Sequence, residues 1–140
     1  MSTRHERWFY VVAGASLLSG LGWITAHYVL SGSSLVAAFL FQGVPHPSEL
    51  WWLRLHGASM MGFLVLFGAL LPGHVTRGWR LRRNCQTGIF MLTVVAMLSL
   101  SGYALYYLGD EATHPWISAV HSVIGLAAGA GLVLHANKPR

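Results

Sequence analysis

Four long stretches of the chain carry almost no charge, and each is about as long as a bilayer core is thick. They run from Trp8 to about Leu30, from Leu50 to Leu71, from about Gln86 to Leu108, and from Pro115 to about Ala136. A hydrocarbon core needs roughly 20 apolar residues in a helix. Only 9% of the 140 residues are charged, against about 25% in soluble domains. Mean hydropathy is +0.53 along the whole chain. Strands are excluded because an open strand leaves backbone groups unsatisfied in lipid, and ten-residue alternating segments are absent. The expected fold is therefore all-α: a transmembrane four-helix bundle in a single membrane domain, with no length left for an additional soluble domain.

The basic residues set the orientation. Arg4 and Arg7 precede the first span, Arg77, Arg80, Arg82 and Arg83 join the second to the third, and Lys138 and Arg140 follow the fourth. Only Arg54 lies elsewhere, and Glu49, Asp110 and Glu111 fall in the opposite loops. The positive-inside rule then places both termini and the 72–85 loop in the cytoplasm. The pI of about 10.0 follows from this topology and calls for no nucleic-acid partner. The 77–83 stretch is suited to anionic headgroups. Aromatic residues mark the same two surfaces, with Trp51, Trp52, Trp116, Tyr106 and Tyr107 outside and Trp8, Phe9, Tyr10 and Trp79 inside. The first apolar run is too long for a signal peptide and lacks a small-x-small cleavage site, so it reads as a retained anchor.

The segment 31–49 is the irregular piece. Leu35 to Phe41 is too short to span, and Pro45-His46-Pro47 opposes regular helix, so the segment is expected along the outer surface. The sequence shows no internal repeat and no low-complexity tract. A single cysteine, Cys85, excludes a disulfide framework, a thiolate zinc site, an iron–sulfur cluster and covalently attached haem.

Eight histidines in so apolar a chain are the anomaly. His56 lies six residues into the second span and His121 six residues into the fourth, both from the outer side. At 1.5 Å per residue both sit about 9 Å below that surface. Two imidazoles at matched depth on different helices are what a bis-histidine metal or haem site requires. His135 lies 14 residues beyond His121, within about 40° of the same helix face and about 21 Å further down. His74 lies 18 beyond His56, although Pro72-Gly73 is expected to break the helix between them and let His74 swing back. An inner site would pair His135 with His74, with His5 as the competing partner. His27 is an alternate ligand that equally suits an interfacial anchor, and His46 and His114 suit the surface.

Gly57, Gly62 and Gly68 on the second span, with Gly125 and Gly129 on the fourth, suit either the face of a flat macrocycle or small-residue helix packing. Arg54 is placed to pair with a haem propionate or to snorkel to the headgroups. Met60, Met61, Met91 and Met97 read as packing, and Thr93, Ser99 and Ser101 as bonding back to their own helix carbonyls.

With Arg54-Leu55-His56-Gly57 on the second span and His121…His135 on the fourth, the chain resembles the bacterial four-helix di-haem cytochromes b. These include the membrane subunits of respiratory formate dehydrogenase and nickel–iron hydrogenase. The resemblance covers most of the chain as topology. It implies an outer haem b on His56 and His121, and an inner one on His135 with His5. Gly73-His74-Val75 with Gly78-Trp79 instead resembles cytochromes whose second and fourth helices supply both pairs, which favours His74. It implies an electron-transfer subunit that links other redox protein subunits to membrane quinone. The rival readings are a histidine-lined metal or proton transporter, and a non-redox assembly subunit of a membrane complex.

Overall fold

The computed structural model describes residues 3–31, 45–82, 85–108, 110 and 112–136; side chains at 3, 4, 6, 74 and 134–136 lie outside that set. Every regular element among the described residues is helical. Helix α1 spans Thr3–Thr25 and passes into a π-turn at Ala26–Leu30. Helix α2 spans Ser48–Leu70, passes through a second π-turn at Leu71–Val75, and continues into the short α3 at Thr76–Arg80. Helix α4 spans Cys85–Tyr107 and α5 spans His114–Ala136. Four helical segments, Arg7–Leu30, Ser48–Arg80, Cys85–Tyr107 and His114–Val133, are long and apolar enough to cross a membrane.

Each forms a helix because its backbone must be satisfied within the segment, and apolar residues surround it on all sides rather than in a stripe. The exposure pattern is inverted relative to a soluble protein. Val65 is 71% exposed and Trp116 76%, while the buried positions include Ser16, Ser19, Ser31 and Ser118 beside Ala13, Ala26 and Val95. Small and hydroxyl side chains between helices, with large apolar ones outside, are the packing expected in lipid.

The helix ends have local causes. The Asp110 carboxylate accepts from the backbone of Ala112 (3.1 Å) and Thr113 (2.7 Å) and from the Thr113 hydroxyl (2.7 Å), forming the turn that leads into α5. Pro115 then occupies the first turn, where a missing N–H costs nothing. Arg82, at φ 48°, takes the left-handed conformation that closes α3.

One expectation is corrected. The helix does not break at Pro72-Gly73, because the π-turn takes up the proline and helical structure runs on to Arg80. His5 lies within the first turns of α1, which starts at Thr3, just ahead of the apolar segment Arg7–Leu30. The interfacial stretch Leu35–Phe41 lies outside the described residues.

The chain divides into two compact units, residues 1–70 and 71–140. In the first, α1 and α2 run antiparallel. Gly22 meets Trp52, Gly20 meets His56, Gly62 meets Val12, and the tilted rings of Phe9 and Phe63 lie 5.3 Å apart. In the second, α4 and α5 are likewise antiparallel, with Gly102 against His121 and Gly125 against Leu98.

Candidate functional site

His56 projects from α2 onto a small-residue patch of α1. Its Nδ1 lies 2.9 Å from the Ser16 carbonyl and 3.2 Å from Ser19 Oγ. A Cβ on Gly20 would come within 3.3 Å of its Cε1, so a side chain there would crowd the ring. A carbonyl only accepts, so Nδ1 carries the proton and the ring's lone pair sits on Nε2. Ser19 is fully buried beneath this contact.

His121 repeats the arrangement in the second unit. Its Nδ1 lies 2.8 Å from Ser101 Oγ on α4, and a Cβ on Gly102 would come within 3.5 Å of its Cε1. In both units, then, a Ser-Gly pair on the first helix receives a histidine from the second. A tryptophan also stands five residues before each histidine, Trp51 before His56 and Trp116 before His121. A contiguous repeat is not visible in the sequence because the partners are 37 residues apart in one unit and 20 in the other.

Ser101 does bond back to its own helix, at Leu98 O (3.2 Å), as do Ser99 to Val95 O (2.8 Å) and Thr93 to Ile89 O (3.0 Å). What sequence reasoning missed is the second contact of Ser101 and the whole role of Ser19. The Ser-Gly dipeptide that precedes each helix exit was the available signal.

The other candidates fall into three groups. His27 sits in the first π-turn, with its ring stacked on Trp23 at 4.8 Å and its Nδ1 2.7 Å from Glu49 Oε1. Glu49 Oε2 also accepts from Ser31 Oγ (3.2 Å), and that hydroxyl accepts from the backbone N–H of His46 (2.6 Å). Three polar side chains thus tie the end of α1 to the start of α2. Arg54 is exposed and holds its guanidinium 5.2 Å from the centre of the Trp51 ring. His5 and His114 are exposed. His74 and His135 lie on the second π-turn and on α5, with their side chains outside the described residues.

Among the described residues no group of three or more His, Cys, Asp and Glu side chains is arranged to hold a bare metal ion. The donor set suits a group that brings most of its own ligands and asks the protein for single neutral imidazoles. A histidine anchored at Nδ1 by a neighbouring oxygen is the usual form of such a ligand. His56 and His121, each within its own unit, present an imidazole of this form. Gly57 and Gly68, which have open space where a side chain would stand, leave α2 flat at those points. The chain matches no known protein family, no curated protein and no solved structure.

Proposed function

We propose that this chain is an integral membrane b-type cytochrome that carries electrons across the bilayer between a periplasmic redox partner and quinone. The observation that carries the reading is the pair of half-buried imidazoles, His56 and His121, each set in an apolar helix and held at Nδ1 by its neighbour. Ionisable groups within apolar spans are costly and tend to serve function. His56 and His121 are the proposed axial ligands of one haem b, and His135 with His74 those of a second, His5 being the alternate for His74. Bound haem would supply a one-electron change at iron, with His56 and His121 as the residues that would hold it.

The chain's own residues do the rest. Neutral imidazoles donate their lone pairs, and the Ser16 carbonyl fixes the orientation of one ring. The apolar helices exclude water, which limits the reorganisation that accompanies a change of charge. Arg54, stacked on Trp51 near the start of α2, is the proposed partner of a propionate. The distribution of Lys and Arg supports an orientation with both termini in the cytoplasm, and a bacterial inner membrane is the proposed location.

A dithionite-reduced minus oxidised spectrum of the purified protein, with haem quantified against protein, tests the proposal. A reducible b-type spectrum is expected, and its absence refutes the reading. The serine contacts also favour a second reading, in which the histidines only bond helices together in an assembly subunit. His56→Ala combined with His121→Ala separates the two: cofactor loss supports the cytochrome, while unchanged assembly with no cofactor lost supports the clamp.

A further inference from the structure

The cytochrome reading names the histidines but leaves open what decides which ring nitrogen is basic. Each hydroxyl has one proton to give, and its destination settles the matter. Ser19 Oγ lies 2.7 Å from the Ala15 carbonyl and 3.0 Å from the Ser16 carbonyl, both in its own helix, and neither can do anything but accept. Its proton is therefore directed into α1, and toward His56 the oxygen presents a lone pair. Ser101 Oγ donates in the same way to Leu98 O at 3.2 Å while facing His121 Nδ1 at 2.8 Å. With its proton directed into α4, it accepts from Nδ1–H.

We propose that Ser19 and Ser101 are positioning residues that hold His56 and His121 in the Nδ1–H tautomer, so that Nε2 is the donor atom in both units. Three features support the assignment. The serine sits immediately before a glycine in each unit, and the ring packs against that glycine, closely at Gly20 and in ordinary contact at Gly102. Ser19 is completely buried, so water does not compete for its oxygen. The Ser16 carbonyl independently requires a proton on Nδ1 of His56, and in the second unit a serine hydroxyl likewise faces Nδ1 of His121. The assignment rests on the cytochrome reading only for what Nε2 receives.

An oxygen accepting from Nδ1–H makes the imidazole a stronger donor, which favours the oxidised metal. Loss of Ser101 Oγ is therefore expected to raise the midpoint potential and to weaken haem binding about tenfold, the low end of the range for such supporting groups. Ser19→Ala is expected to do less, because the Ser16 carbonyl remains beside His56.

The test uses the full chain in lipid nanodiscs, labelled with 15N-histidine, with Ser19→Ala, Ser101→Ala and Ser101→Thr. Ser99→Ala is the control, since its hydroxyl bonds within α4. In haem-free protein, ring-nitrogen correlations should show Nδ1–H at His56 and His121, beside His27, whose Nδ1 faces the Glu49 carboxylate. One of these should shift toward a tautomer mixture in Ser101→Ala and return in Ser101→Thr. In haem-loaded protein the potential should rise in Ser101→Ala and stay unchanged in Ser99→Ala. Ring signals, potential and haem affinity all unmoved in Ser101→Ala would overturn the assignment while leaving the cytochrome reading intact. A protein that takes up no haem, yet shows the expected tautomer response, overturns the cytochrome reading and supports the serine assignment.

Discussion

The indole of Trp52 fills the space where a side chain on Gly22 would stand: a Cβ built there meets three ring atoms at 2.5 to 2.8 Å. The close approach of α1 and α2 at this end thus depends on a missing methyl group. Gly22→Ala forces the bulky ring to move, and overpacking of this kind costs about 1–3 kcal/mol. Gly14→Ala, at a position with nothing within 4 Å, is the matched control and is expected to be neutral. Unfolding in mixed detergent micelles measures both, and equal stability of the two variants would contradict the contact.

The His27–Glu49 pair is expected to matter for local order more than for global stability. His27 is 44% exposed and Glu49 19%, so screening limits the pair to less than about 1 kcal/mol. Glu49 nevertheless joins the π-turn of α1 to the start of α2, through His27 and Ser31 together. Glu49→Gln should therefore accelerate amide exchange across Ala26–Ser31 and leave the middle of α2 unchanged. Faster exchange throughout α1 and α2 would mean that the contact carries the whole unit.

How far the sequence could be read follows from where each interaction is encoded. The four apolar helices were legible because charge-free runs of that length have one solution in lipid. The helix through Pro72 was not, because a π-turn that absorbs a proline depends on local hydrogen bonding rather than on residue pattern. His56 and His121 were legible from their depth alone. Their serine partners were not: back-bonding of Ser101 is a local property, whereas its contact with His121 depends on which faces of α4 and α5 meet. The same holds for His27, whose carboxylate partner lies 22 residues along the chain.

Asp110 gives the expected pH dependence at the start of α5. Hydrogen bonds from the Thr113 side chain first, then from the backbone of Thr113 and Ala112, hold its carboxyl below the ordinary carboxylate range. A group whose folded pKa is lowered contributes stability that is complete above its unfolded pKa, about 3.9, and that fades as pH falls through the folded value. The first turn of α5 should therefore fray on acidification below about pH 4 and not on alkalinisation. Asp110→Ala should fray it at neutral pH and abolish the acid dependence, as read from amide exchange at 114–118. Acid fraying that persists in Asp110→Ala would assign it to another group.

On the cytochrome reading the number of haems turns on His135, and helix geometry gives the expected answer. On α5, which runs unbroken from His114 to Ala136, His135 lies about 21 Å along the axis from His121, too far to share a porphyrin with it. A second site would therefore be lost without disturbing the first. His135→Ala is expected to lower the haem-to-protein ratio from about two to about one, by the spacing of the two histidines on one helix. The spectrum that remains should be the one that His121→Ala removes. His74→Ala and His5→Ala then decide the partner, since only the true second ligand reproduces the His135→Ala spectrum. A wild-type ratio near one, unchanged in His135→Ala, would leave the His56 and His121 site as the only haem of the chain.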